Sequence, residues 1–449
     1  MPMDRKIGAE AWAKRPALAM IASVSVLFLL AGCVGGSGVA SRLNNDPNAP
    51  AASAQAGANS KTAEGGSVLI TELQARRSVL PLGGAFAKVA TSVLEADAGT
   101  AAAELRIARL KSEARAKNWL PKIGPAVSLT SLNGLAAGLL LEQALFDFGR
   151  RKAERAYAAA DVEVAAVTLS AEINQRIYEG LAHYVAAERA RAQGVIAAEA
   201  ESRLAGFADI MRQRVEGGIS DRSEERVIQQ HLAEMQATLS ADRESETSAM
   251  AELAAMSAGT LSDVRGIDKL AVVGLKTEPL SVVKARGEGK RSVAEAQAAK
   301  AGLLPGITAV ADMSGGGLNP GVKLGGSGLL GMGTKAEMQA LDATQDVVDR
   351  RSAEAAETAE RRIVALERQI ASLHSRQSQG DEVLRQTNGN LEMFVEQYKV
   401  GRRSLLELVG QYDSFARLER DQVALRYEIA ILELEIARDR GLLVDGARM

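Results

Sequence analysis

The sequence predicts a mainly α-helical protein with a small contribution of β-strands, arranged as a tandem repeat of helix, two strands and helix. Proline is absent between Pro125 and Pro279, and it is absent again after Pro320. Two long stretches therefore lack the residue that most strongly interrupts a helix. A shorter segment of different character precedes each stretch, and one short motif recurs where segment and stretch meet.

That motif carries the evidence for the repeat. "LFDFGRRKAE" at residues 145–154 returns as "LLGMGTKAE" at residues 329–337. The spacing from Pro121 to Gly149 equals the spacing from Pro305 to Gly333, and "EGGISDRSE" later matches "KVGRRSLLE". These matches in register indicate a duplication of about 180 residues, which is far longer than the unit of a solenoid protein.

Each repeat is predicted to contain a long antiparallel coiled-coil hairpin. A helix from about Gly149 to Val215 would be roughly 100 Å long at 1.5 Å per residue. Gly217-Gly218 and Gly401 can adopt the positive φ that a reversal of the chain requires. Within the second stretch, apolar residues recur three and four positions apart, as in the narrow seam of a coiled coil: Ile363, Leu366, Ile370 and Leu373.

The shorter segments, 121–149 and 305–333, show no such seam. Asn133-Gly134 is a strong hairpin-turn signal, and the second segment alternates apolar positions from Ile307 to Met313. Strands of about ten residues with alternating faces are typical of a membrane barrel. Two soluble loops are the alternative, although loops of nearly thirty residues are uncommon.

On this interpretation, the repeated motif marks the junctions at which a strand becomes a helix: Phe146, Asp147 and Gly149 in the first repeat, and Gly333 in the second. Arg150, Arg151 and Lys152 follow Gly149. Positive charge in the first turn opposes the helix dipole. Neighbouring anionic membrane headgroups would explain this cluster, and ordinary solvated charge is the alternative.

The N-terminus resembles a bacterial lipoprotein signal. Basic residues precede the apolar run "PALAMIASVSVLFLL", which ends in "LAGC" at Cys33. The run is short for a membrane-spanning helix, so residues 1–32 are predicted to be a signal peptide. Cys33 would then carry the lipid, palmitate included, and residues 33–66 would form a flexible tether. A plain signal peptide with a coincidental cysteine is the alternative. Val34, which directly follows the cysteine, favours sorting of the lipoprotein to the outer membrane.

Composition argues against several other classes of protein. A formal net charge of −2 gives no reason to expect binding to nucleic acid. Three scattered histidines and a single cysteine offer no cluster of metal ligands and no disulfide. Because no grouping of residues has the spacing of a catalytic site, we expect neither an enzyme nor a cofactor.

From about Leu82 to Leu443 the chain resembles the TolC-like outer membrane efflux protein family. The resemblance rests on "LEQALFDFGRRKAE", on "EQYKVGRRSLLELVGQYDSFARLERDQVAL" and on the order of the repeat. It implies a homotrimer in which four strands from each chain complete a twelve-stranded outer membrane barrel, continued by a helical tunnel through the periplasm. The two repeats are expected to span residues 67–264 and 265–449.

The resemblance also implies a function. Family members are passive exit ducts of Gram-negative cells, serving tripartite efflux pumps or type I secretion. Their partners are a periplasmic adaptor, an inner membrane transporter and outer membrane lipids. Two alternatives remain on the residues alone, a periplasmic adaptor lipoprotein and a structural coiled-coil protein of the envelope. An adaptor needs one hairpin rather than two, and a purely structural coiled coil has no need of the strand segments.

In this family the hairpin turns form a periplasmic tip that closes the tunnel and meets the adaptor. The tip turns here are Gly217, Gly218 and Gly401. The resemblance implies the following gate residues: Ser223, Glu224, Tyr398, Arg403 and Glu407. Opposite charges on Glu224 and Arg403, and the Tyr398 hydroxyl, are expected to link the two hairpins. Gly410 replaces a second acid of the family pattern, which leaves a tight acidic ring in doubt.

We predict that the mature chain begins at a lipidated Cys33. Mass spectrometry of the N-terminal peptide should find an acylated cysteine, and Cys33→Ser should impair sorting to the outer membrane more than it alters the rest of the fold. An unmodified Cys33, or a mature chain that begins elsewhere, would contradict this prediction.

Overall fold

The computed structural model describes residues 67–97, 99–131, 134–314, 317–325 and 331–448. The chain divides into two units, 1–61 and 62–449, and the whole of the first lies outside the described residues. The predicted signal peptide, the tether and Cys33 therefore lie outside them too.

Helices and strands follow in the predicted order. The first part of the chain contains α1 (Val68–Ala75), α2 (Ala85–Glu95), α3 (Ala101–Ala116), β1 (Lys122–Ser131), β2 (Gly134–Phe146), α4 (Arg150–Glu216) and α5 (Arg222–Met256). The second part contains α6 (Leu280–Gly302), β3 (Gly306–Ser314), β4 (Gly317–Gly325), α7 (Thr334–Asp342), α8 (Thr344–Lys399), α9 (Leu405–Asp439) and the 3₁₀ turn Gly446–Arg448. The predicted fold class, mainly helical with a small sheet and long hairpins, is confirmed.

From α3 and α6 onwards the two halves correspond, with a difference in the long helix, whereas α1 and α2 precede the first half alone. α4 runs unbroken for 67 residues, whereas its counterpart is divided into α7 and α8 at Ala343. Ala343 has a ψ of −13°, which is shallower than an α-helix and near the 3₁₀ range. Next to it, Asp342 accepts two hydrogen bonds from Lys300 of α6, at 2.6 and 2.8 Å. The long helix of the second repeat is therefore divided at this point.

The four strands form one antiparallel sheet in the order β1-β2-β3-β4. Residues paired across antiparallel strands project to the same side of a sheet, so the register defines two faces. One, here called the apolar face, carries Ile123, Pro125, Leu139, Leu141, Phe146, Ile307, Ala309, Ala311, Met313, Leu318, Pro320, Val322 and Leu324. The other, the polar face, carries Lys122, Glu142, Thr308, Asp312, Asn319 and Lys323 beside Leu140 and Val310.

Two details keep the apolar face continuous near the helices. A shift of register between Ala144 and Phe146 places Phe146 opposite Ile307, and therefore on the apolar face. Without this bulge, alternation would turn the phenylalanine to the polar face. Gln143, a polar residue on the apolar face, donates its amide hydrogen to the Trp119 carbonyl oxygen at 2.8 Å.

The other helices pack around α4, which contacts α1, α2, α3, α5, α6 and α9. α8 packs against α6 and α9, and α5 also touches α9. The predicted seam residues Ile363, Leu366, Ile370 and Leu373 are all buried in the main hydrophobic core. A second core lies towards the turns and includes Leu204, Met211, Ile228, Leu405 and Leu408. Of the helices that the structure describes, none is both long and apolar enough to cross a membrane.

A buried ion pair joins the two hairpins through this packing. Arg420 of α9 binds both carboxylate oxygens of Asp242 on α5, and it donates to the Gln193 carbonyl oxygen of α4 at 3.2 Å. Their side chains are only 15% and 11% exposed, so the pair is largely removed from water. Removing one partner of such a pair leaves a buried charge uncompensated, which is costly.

We predict that Asp242→Ala destabilises the protein by about 3–5 kcal/mol, because Arg420 would remain buried without a counterion. Thermal unfolding of the purified protein, followed by circular dichroism, measures the loss. Glu234→Ala is the matched control, because it also removes a carboxylate of α5 that binds an α9 arginine, Arg417, but both of those side chains are exposed. Equal thermal stability of the two variants would contradict the assignment.

Candidate functional site

The junction between β2 and α4 is a tight turn capped by one carboxylate. Phe148 and Gly149 both have positive φ, 52° and 85°, so the chain changes direction within two residues. Asp147 accepts hydrogen bonds from the backbone N–H of Gly149 at 3.1 Å and of Arg151 at 3.0 Å. A negative group in this position satisfies free donors and favours the helix dipole. Gly149 therefore supplies the left-handed conformation of the turn, and Asp147 is its structural partner.

The copy of this turn in the second repeat is built differently. Gly333 has a φ of −80° and lies in the right-handed helical region, so its backbone does not require glycine. Gly331 stands at the place of Asp147, and its N–H donates to the Thr334 hydroxyl at 3.0 Å. Gly333 thus retains the position of the junction without the left-handed conformation of Gly149.

The three cations after Gly149 have different surroundings. Arg150 binds Glu154 at 3.2 Å, and Arg151 lies 3.9 Å from Asp147. Lys152 forms no ion pair or hydrogen bond with the residues that the structure describes. Arg150 and Arg151 are therefore neutralised locally, and Lys152 is the cation with no counterion among the described residues.

Both hairpin turns end their helices in the same way. At the first, Gly218 has a φ of 70°, and the N–H of Ile219 donates to the Arg214 carbonyl oxygen at 2.8 Å. At the second, Gly401 has a φ of 74°, and the N–H of Arg402 donates to the Gln397 carbonyl oxygen at 2.8 Å. These are Schellman motifs, in which glycine avoids the strain of the left-handed conformation. Gly217 precedes this point and has a negative φ.

The return helices begin with different caps. Asp221 caps α5 by accepting from the N–H of Ser223 at 3.0 Å. Ser404 and Glu407 form a complete capping box at the start of α9, where the Glu407 carboxylate accepts from the Ser404 N–H at 2.9 Å. Arg403 adds a bond to Glu407 at 2.9 Å. Glu224 lies half-buried in the first turn of α5, where its charge suits the dipole.

The contacts that were expected between the two tips are not formed within the chain. Arg403 binds Glu407 and Gln397 of its own hairpin and lies over the Phe394 ring at 4.7 Å, rather than reaching Glu224. Tyr398 is half-buried against the core beside the turns, and no hydrogen bond joins its hydroxyl to Ser223 or Glu224 among the described residues. Arg403 therefore pairs with Glu407, four residues further along its own hairpin, and not with Glu224.

Glu407 serves as a capping residue in this arrangement. The backbone N–H of Ser404, followed by the Arg403 guanidinium, lowers the pKa of its carboxyl group. At Gly410 there is open space where a side chain would begin, so no second acid stands near Glu407 at that position. In the part of the chain that the structure describes, no group of three His, Cys, Asp or Glu residues could hold a metal ion.

Two features of the site escaped the sequence reasoning. The Ser404-x-x-Glu407 spacing is the signature of a capping box and was available in the sequence. The contacts between α5 and α9 were not, since they join residues far apart in the chain. Besides the Arg420–Asp242 pair, they include His231, whose Nδ1 lies 3.6 Å from an Asp413 carboxylate oxygen.

We predict that the start of α9 loosens in acid. Because the pKa of Glu407 is lowered in the folded protein, its contribution is complete above the pKa of an unfolded glutamate and is lost as pH falls through the lower folded value. Hydrogen exchange of residues 404–408 should therefore accelerate below about pH 4, after correction for intrinsic rates. Glu407→Gln should remove this pH dependence, whereas Glu224→Gln should retain it. Identical profiles for wild type and Glu407→Gln would contradict this role.

Solved structures with the same architecture place the chain among known folds. VceC, the outer membrane protein of Vibrio cholerae, aligns with a TM-score of 0.68 and 16% identity, over 79% of this chain and 96% of VceC. CusC aligns with a TM-score of 0.67 and 15% identity, over 83% and 91%. The open state of the MtrE outer membrane channel of Neisseria gonorrhoeae gives a TM-score of 0.61 and 16% identity, over 84% and 89%.

No protein-family model matches the chain, and no curated protein sequence matches it either. The likeness is thus carried by structure, through the order of strands and helices and the two long hairpins. The resemblance to TolC-like channels is confirmed for the fold: the chain has the architecture of the outer membrane channels VceC, CusC and MtrE.

Proposed function

We propose that this protein is an outer membrane exit duct, acting as a passive channel for an efflux pump or a type I secretion system. The observation that carries the proposal is the two-sided sheet. Thirteen apolar residues on one face and a set of charged and polar residues on the other are what a membrane barrel with an aqueous lumen requires. The shared architecture of VceC, CusC and MtrE supports the same conclusion.

The exposure of the apolar face supports contact with lipid. Ile123 is 71% exposed, Val322 64% and Leu324 77%. Their exposure would be unfavourable in water, where each buried CH₂ is worth about 0.8 kcal/mol. In a bilayer, the same side chains would meet hydrocarbon.

The sheet also supports a homotrimer. β1 and β4 are the edge strands of the described sheet, and each presents a row of backbone groups with no neighbouring strand. Such edges are unfavourable in a membrane, because no water is present to satisfy them. Since the smallest membrane barrels have eight strands, four cannot close alone. Three copies joined edge to edge would give twelve strands and no free edge.

We place the partners at the opposite end of the hairpins. Ile219 is 69% exposed and Val400 is 67% exposed, one beside each glycine turn. These turns, with Gly217, Gly218 and Gly401, are the proposed contact for a periplasmic adaptor that joins the duct to an inner membrane transporter. Lipidation at Cys33 would anchor the same chain to the outer membrane. Whether the cargo is a small molecule or a secreted protein would be determined by the inner membrane transporter.

The tip is also the proposed gate. Ser223, Glu224, Tyr398, Arg403 and Glu407 all lie within a few turns of the two reversals of the chain. Since Arg403 and Glu407 bond within one hairpin, we propose that they fix the shape of the second tip and that closure between chains involves the exposed residues of both tips.

Reconstitution in planar lipid bilayers tests the proposed channel directly. We expect detergent-extracted protein to migrate as a trimer in native mass spectrometry and to conduct ions in discrete steps. A protein that stays monomeric and soluble without detergent, and conducts nothing, would favour the adaptor or structural alternative.

Adjacent substitutions on β2 test the orientation of the sheet. Leu141 lies on the apolar face and Leu140 on the polar face. We predict that Leu141→Lys reduces the amount of folded protein in the outer membrane fraction severely, because a lysine facing lipid costs about 2–4 kcal/mol near the bilayer centre in each subunit.

Leu140→Lys is the matched control, with the same residue types one position away. It should insert almost normally and alter ion selectivity instead, since its charge would face the lumen. Equal loss of membrane protein in both variants would contradict the assignment of the two faces.

A further inference from the structure

A cavity of about 390 Å³ lies at the strand-to-helix junction. Its walls come from the start of α4, through Lys152, Ala153 and Ala156, and from the end of α6, through Lys300 and Ala301. Phe148 closes one side. We call this space the junction cavity. Its surface is mainly methyl and aromatic carbon, with two lysines at its border.

The charge at the junction cavity is positive. Lys300 is neutralised by Asp342, which its ammonium group contacts at 2.6 and 2.8 Å. Lys152 is exposed and forms no ion pair with the residues that the structure describes. Among the residues that the structure describes, no carboxylate lines the cavity. An anionic group beside Lys152 would therefore meet an unpaired charge.

One aromatic contact links the junction cavity to the apolar face of the sheet. Phe148, which lines the cavity, packs edge to face on Phe146 with ring centroids 4.7 Å apart. Phe146 belongs to the apolar face and is 52% exposed. Trp119 lies at the same end of the sheet, bound through its carbonyl oxygen to Gln143, and is also largely exposed. Tryptophan concentrates at the level of lipid headgroups, and girdles of aromatic residues flank the apolar band of membrane barrels.

We propose that the junction cavity binds one anionic phospholipid per chain. Its phosphate would lie beside Lys152, and its acyl chains would run over Phe148 and Phe146 onto the apolar face. This arrangement pairs the unpaired cation with an anion and covers exposed aromatic carbon with hydrocarbon. The inference rests on the proposed insertion in the outer membrane, and it adds a defined lipid site to it.

Native mass spectrometry of the full-length protein in detergent, titrated with phosphatidylglycerol, tests the site. Wild type should retain one tightly bound lipid per chain. Lys152→Gln should weaken that binding about fivefold, the effect expected of one lysine at a membrane surface. Lys335→Gln is the matched control, because Lys335 holds the equivalent position in the second repeat but does not line the junction cavity. It should bind lipid as wild type does.

A second variant tests the space inside the junction cavity separately from the charge of Lys152. Ala156→Trp fills the cavity from an exposed position of α4 and leaves Lys152 in place, so it should also release the lipid. Equal binding by Lys152→Gln and Lys335→Gln, or undiminished binding by Ala156→Trp, would overturn the proposal. Complete displacement by millimolar inorganic phosphate would instead indicate a phosphate site and overturn the lipid assignment. Channel conductance, measured on the same samples, shows independently whether the proposed duct itself holds.

Discussion

The two-sided sheet, with an apolar face, a polar face and two free edges, is the constraint on which the rest of the molecule depends. Apolar side chains such as Ile123 and Leu324 are largely exposed, and in the described sheet β1 and β4 have backbone groups with no neighbouring strand. In the proposed assembly, a bilayer would remove the first cost and additional copies of the chain would remove the second. The bulge before Phe146 shows how closely the local backbone follows this demand, because it keeps an aromatic residue on the apolar face.

The junction below the sheet shows how the chain passes from one kind of structure to the other. Asp147 caps α4, and the left-handed conformations of Phe148 and Gly149 turn the chain sharply. The second repeat makes the same transition without the carboxylate cap and without positive φ at Gly333. Duplication has therefore preserved the path of the chain while the local bonds diverged.

The contacts that hold the two hairpins together differ from the hydrogen bonds that shape their turns. Each turn is completed by bonds within its own hairpin, through a Schellman motif and a helix cap. The Arg420–Asp242 pair joins the hairpins further along α9, where burial strengthens the electrostatic interaction. The second core, in which Met211 and Ile228 pack with Leu405 and Leu408, also joins the hairpins near the turns.

Sequence by itself determined the order of the elements. Absence of proline predicted the long helices, Gly218 and Gly401 predicted the turns, and alternation from Ile307 to Met313 predicted a strand. Each of these signals acts through local backbone sterics or through a regular period. Tertiary structure decided the rest. The bulge at Phe146, the partner of Arg403, the break at Ala343 and the buried pair of Arg420 with Asp242 all depend on which elements lie side by side. Contacts between residues far apart in the chain leave no periodic trace in a single sequence, so only the packed structure reveals them.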